Sequence, residues 1–176
     1  MITTHPTLDV ILNTYREQIG ADFIGYRNHC YRVLNIYQAL GLLYDTPVDL
    51  EQAAIALAFH DLGIWTDHTV DYLPPSIREA KAYLATRPEI DEIQTLLMIS
   101  QHHKIRTFMF DTEVELFRQA DLVDFSLGMV RNGLDKTFIR TIKEAFPNAG
   151  FHKRLLQLGV MNVIKHPLKP APMMKW

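Results

Sequence analysis

The chain has 176 residues, with 18 Lys and Arg against 20 Asp and Glu, a formal charge of −2 and 48% apolar residues. These values predict one globular domain over residues 1–176 with its own core, and they remove any global electrostatic reason to expect a nucleic-acid polymer as partner. The longest apolar run, Ala53 to Phe59, is far short of the roughly 20 residues of a membrane helix, and the single cysteine, Cys30, excludes an internal disulfide or a CxxC zinc site. Met1 to Pro6 lacks the basic and apolar regions of a secretory signal. The expectation is a cytoplasmic protein with no membrane contact, distinguished mainly by its eight histidines.

Apolar residues recur at spacings of three and four without sustained alternation, which predicts an all-α bundle of about seven to nine helices. The first spans 8–19, with Leu8, Ile11, Leu12, Tyr15 and Ile19 on one face and Gly20 as its stop. Asp22 caps a second, ending near Leu40 at Gly41. Asp49 with Gln52 opens a third over 50–61 that is apolar nearly all round, the mark of a helix in the middle of a bundle. After Gly63, a loop carries Trp65, Asp67, His68, Asp71, Pro74 and Pro75. Capping boxes Ser76/Glu79, Thr86/Glu89 and Thr112/Glu115 predict helices over 76–86, 86–103 and 112–130. Two more are predicted over 136–146 and 151–165, stopped by Pro147 and Pro167, before an extended Pro-rich tail over 167–176.

Burying a polar group costs about 1–3 kcal/mol unless it is partnered, so polar side chains on apolar stripes need a reason. His29 lies between Tyr26 and Val33 on the core stripe of the second helix. His60-Asp61 ends the most apolar helix, Asp121 sits between Phe117 and Phe125, and His102-His103 closes the helix holding Leu96, Leu97 and Ile99. Each has an ordinary structural reading alone, as a hydrogen-bonded core histidine, a helix-end cation or a buried ion pair. Together, on four helices of one bundle, they make His29, His60, Asp61 and Asp121 candidate ligands for one divalent ion.

That ordered set resembles the HD-domain superfamily of helical metal-dependent phosphohydrolases. His29-Cys30-Tyr31-Arg32-Val33 is similar to its His-x-x-Arg-Val, Phe59-His60-Asp61-Leu62-Gly63 to its run into His-Asp-Ile/Leu-Gly, and Ala120-Asp121 with Asp124 to its Ala-Asp-x-x-Asp. The likeness covers residues 22–125. Three positions depart from it: Ile64-Trp65 follows where many members have Lys, Ile64 stands where a subset of nucleotidases has Glu, and Ser76 falls where two-metal members have a further His. A single-metal site follows from that reading, with Ser76 as a helix cap.

The resemblance implies hydrolysis of a phosphomonoester, phosphodiester or nucleotide by a water activated on Mn, Fe, Ni, Co, Zn or Mg. Mixed N and O ligands do not choose among these ions. His102 and His103 are candidate substrate ligands or proton carriers, Asp67 and His68 candidate acid/base groups, and Arg32, Lys104 and Arg106 candidate cations for a small anionic substrate. Trp65, Tyr72 and Phe108 are candidate pocket walls, and Cys30 reads as buried and inert. Competing readings are a hydratase or hydrolase of a small non-phosphate compound, similar to cyanamide hydratases, and a non-catalytic metal-binding regulator whose tail serves partner contact or a homodimer. The first would carry a neutral pocket with few cations.

Overall fold

The computed structural model describes residues 1–165 and Pro172. Its elements are all helical: α1 (Pro6–Thr14), α2 (Arg16–Ile19), a 3-10 turn (Gly20–Asp22), α3 (Phe23–Leu43), α4 (Leu50–Phe59), α5 (Gly63–Thr66), α6 (Leu73–Leu84), α7 (Glu92–Gln101), α8 (Thr112–Phe125), α9 (Lys136–Ala145) and α10 (Phe151–Lys165). Two of these, α2 and α5, are four-residue turns; the other eight helices make the all-α bundle that the apolar spacing predicts. The predicted stop at Pro167 and the Pro-rich tail lie outside the described residues, Pro172 apart. Among the described residues no helix is long and apolar enough to cross a membrane.

The bundle is organised around α4 and α3. From Gln52 to Phe59 every residue of α4 is buried, because its apolar surface is met on all sides by α1, α3, α6 and α7. At 21 residues, α3 is about 31 Å long at 1.5 Å per residue. It lies along α8 and α4, so polar groups on its inner stripe face groups on both.

Helix starts follow aspartates more than the predicted threonines. Asp49, Asp91, Asp111 and Asp135 each accept a hydrogen bond from a first-turn amide. Thus α8 is capped by Asp111 rather than Thr112, and α7 begins at Glu92 rather than near Thr86, whose hydroxyl instead donates to Tyr83 O. A carboxylate combines the cap hydrogen bond with attraction to the helix dipole, which a hydroxyl lacks. Asp22 makes no cap bond; its carboxylate accepts from the Trp65 indole and pairs with Arg154. Ser76 is not a cap either. α6 starts three residues earlier, with Pro74 and Pro75 in its first turn, and the buried Ser76 hydroxyl accepts from Gly63 N.

Two glycines allow close approach rather than ending helices. Gly41 lies inside α3, where a Cβ would come within 2.8 Å of the Val48 side chain. Gly63 opens the tight α5 turn behind His60-Asp61, and a Cβ there would sit 2.3 Å from Tyr72 O and 2.7 Å from Pro75 Cγ. Backbone fills that space, so it cannot yield cheaply. Gly63→Ala is expected to destabilise the fold by about 1–3 kcal/mol, as read from the urea midpoint.

Candidate metal centre

Four helix segments deliver the cluster. His29 projects from α3 and Asp121 from α8, while His60 and Asp61 follow the last turn of α4 and His102 follows α7. All five are buried. His29 Nε2 lies 3.0 Å from His60 Nε2, 3.4 Å from Asp121 Oδ1 and 4.0 Å from Asp61 Oδ2. His60 Nε2 lies 3.3 Å from Asp61 Oδ2 and 3.8 Å from Asp121 Oδ1, and His102 Nε2 lies 3.5 Å from Asp61 Oδ1. His29, His60 and Asp61 thus offer ligand atoms within 4.8 Å of one another, and so do Asp61, His102 and His103.

The second ring nitrogens decide what these atoms are. His60 Nδ1 donates to Leu57 O at 2.8 Å and His102 Nδ1 to Ile99 O at 2.7 Å. Those carbonyls belong to helix last turns, where no intrahelical amide is available to them. His29 Nδ1 donates to Asp124 Oδ2 at 2.7 Å. In the neutral rings every Nε2 is then a lone pair. Three nitrogen acceptors and the oxygens of two carboxylates converge without a donor among them. Among the described residues, Asp61 Oδ1 and His102 Nε2 are buried with no hydrogen-bond partner. Such an arrangement is repulsive until a cation or protons enter it. Two ligands each about 2.1 Å from one ion lie about 3.0 Å apart at a right angle and about 3.4 Å apart at the tetrahedral angle, and the measured separations start at 3.0 Å and include 3.3 and 3.4 Å. The donor set fits a divalent ion.

Behind His29 stands a buried relay. Asp124, one turn beyond Asp121 on α8, accepts from His29 and takes Arg32 on both oxygens, at 2.6 Å from Nε and 2.9 Å from Nη2. Arg32 Nη1 donates to Phe146 O at 3.0 Å. The sequence reading gives Arg32 to the substrate, and the structure corrects it: the guanidinium is 2% exposed and committed to Asp124 and the backbone after α9. Phe151, which opens α10, stacks on the His29 ring with centroids 4.2 Å apart. Neither Phe151 nor His152 carries a signal in the sequence. His152 donates from Nε2 to Asp124 O.

Burial is the largest influence on these groups, and their neighbours decide the outcome. It pulls His60 down to about 3, so its ring is neutral near neutral pH. It pushes Asp121 up to about 6. Burial also raises Asp61 and Asp124, but His60 and His102 around the first, and His29 and Arg32 around the second, hold both below the usual carboxylate range. For His102 burial acts downward, and Asp61 and Asp121 more than offset it. Burial, with the His102 charge beside it, holds His103 well below its ordinary value. The buried Tyr72 hydroxyl, pushed well up by burial, donates to His103 Nε2.

A cavity of about 850 Å³ opens beside the cluster. His102, His103, Asp121, Tyr72 and Lys104 reach its wall. Phe108 is partly buried and Arg106 exposed; neither lines it, and Trp65 packs against Tyr26. Asp67 and His68 are exposed outside it, Asp67 in a two-bond pair with Arg78, so the acid/base role read for them has no geometric support. Cys30 is fully buried and its thiol donates to Leu57 O. No family model, curated protein or solved structure matches the chain.

Two outcomes follow. Replacing Arg32 by Met leaves Asp124 as an unpaired buried charge and is expected to destabilise the fold by about 3–5 kcal/mol in chemical denaturation. Because Asp121 must lose a proton to bind a cation while His60 need not, Mn affinity measured by calorimetry is expected to weaken by at least about tenfold per pH unit below the Asp121 value of about 6.

Proposed function

We propose that this protein is a metal-dependent hydrolase of the HD-superfamily type, with His29, His60, Asp61 and Asp121 holding one divalent ion and His102 beside it. One observation carries the reading: lone pairs and carboxylates converge in a buried cluster that lacks a donor, next to a cavity large enough for a substrate. When bound, the ion supplies Lewis acidity and lowers the pKa of a water molecule. The chain's own residues do the rest. Asp124 and the Leu57 and Ile99 carbonyls keep three imidazoles in the tautomer that points Nε2 inward. His102, at the cavity wall, is placed to orient a water or substrate oxygen, and the Tyr72–His103 pair keeps a proton close by for a leaving group.

Phosphoester hydrolysis is the reaction that the motif resemblance implies. The second reading, hydration or hydrolysis of a small non-phosphate compound, draws support from how few Lys and Arg side chains, Lys104 and Arg118, line the cavity among the described residues. Arg32 is committed to Asp124, and Arg118, in the cavity wall, is bidentate to Glu115 at 2.6 and 2.8 Å.

Protein loaded in turn with Mn, Fe, Co, Ni or Zn should bind about one ion per chain, and His29→Ala or Asp121→Ala should remove it, as measured by elemental analysis after desalting. Loaded protein should turn over at least one member of a phosphatase, phosphodiesterase, nucleotide and nitrile panel. Metal bound without any turnover would overturn the hydrolase reading in favour of a metal-binding regulator. Unchanged metal content in both variants would overturn the site.

A further inference from the structure

Resting on that reading, we infer that the substrate carries a sizeable apolar body that lies along α10, with its reacting group directed at His102 and Asp121. The cavity has two chemically distinct parts. One part is polar: His102 faces Asp61, Tyr72 donates to His103, the His102 and His103 rings lie 4.0 Å apart, and Lys104, Arg118 and His152 also reach the wall. The remaining wall is aliphatic and aromatic. Leu155, Leu158 and Val163 of α10 face it, with Ile64, Leu122 and Phe125 also in the lining.

Two further observations favour an apolar occupant. The first is charge. Among the described residues the Lys and Arg side chains in the wall are Arg118 and Lys104, and Arg118 spends its donors on Glu115 and on Lys104 O. A string of phosphates needs several committed cations, so this wall suits a small head group rather than a nucleoside triphosphate. The second is space. Gly159 lies in α10 on the cavity wall, and a Cβ there would meet nothing within 4 Å among the described residues. Glycine inside a helix is unfavourable relative to alanine, and here it widens the cavity instead of admitting a neighbouring backbone. A volume of about 850 Å³ falls in the size range of ligand pockets, which are mostly apolar with a few convergent polar groups.

Methyl-, butyl- and octylphosphonate, which resist hydrolysis, test this by calorimetry on the Mn-loaded full chain. Affinity should rise steeply along the series, approaching about fourfold for each methylene that is fully buried. Gly159→Phe should cut octylphosphonate affinity back toward that of methylphosphonate while leaving Mn content and methylphosphonate affinity unchanged. Should that variant fail to fold, the wild-type series decides alone. Equal affinities along the series with Mn bound would overturn the inference and leave the metal reading intact. If Mn does not bind, the metal reading fails, and butanol against octanol on the metal-free chain decides: a steep rise keeps the apolar site and equal affinities overturn it.

Discussion

The contact between Arg32, Asp124 and His29 is the constraint on which the rest of the cluster depends. A guanidinium and a carboxylate buried together cost desolvation that their attraction barely offsets, unless nearly every donor and lone pair is used. Here Arg32 donates to both Asp124 oxygens and to Phe146 O, and Asp124 accepts from His29 as well. The pair joins α3 to α8 and to the chain just beyond α9. It also determines which nitrogen of His29 carries the proton, because a carboxylate that keeps its charge accepts only from Nδ1–H. The same job is done for His60 and His102 by carbonyls at helix ends. Three imidazoles on three segments reach one tautomer by local bonds, and the inner face of the cluster is therefore built before any ligand arrives.

Much of this was legible in the sequence because burial and polarity conflict visibly there. His29, His60-Asp61, Asp121 and His102 stand on stripes that are otherwise apolar, and a helical stripe can be read from spacing alone. Local choices between competing caps were harder. Asp111 and Thr112 are adjacent, and either side chain suits the position; the carboxylate takes it. Ser76 carries the signature of a cap, yet the two prolines ahead of it already have the right backbone angle to begin α6. The partner of Arg32 is hidden from the sequence for a different reason. A cation one turn from a candidate ligand looks available to substrate, and only the approach of α8 shows that Asp124 claims it. Phe151 and His152 depend on how α10 returns across α3, a long-range packing event with no periodic trace.

α10 therefore has two roles at once. Its first residues brace the cluster, Phe151 against the His29 ring and His152 against the Asp124 backbone. Its middle carries the apolar wall of the cavity. One helix couples the rigidity of the ligand set to the shape of the space beside it, so that a shift of α10 along its axis would alter both together.

The crowding of acceptors has a consequence for the protein's persistence. Unfolding scatters Asp61, Asp121 and the three histidines into water, which relieves their mutual repulsion. An ion that binds only the assembled cluster opposes this, and by linkage each tenfold excess over its dissociation constant adds about 1.4 kcal/mol to native stability. For a cluster that holds such an ion, the surrounding concentration of free metal would enter directly into the fraction of chains that stay folded. The same five side chains that could hold an ion would then make the fold a gauge of how much of it is present.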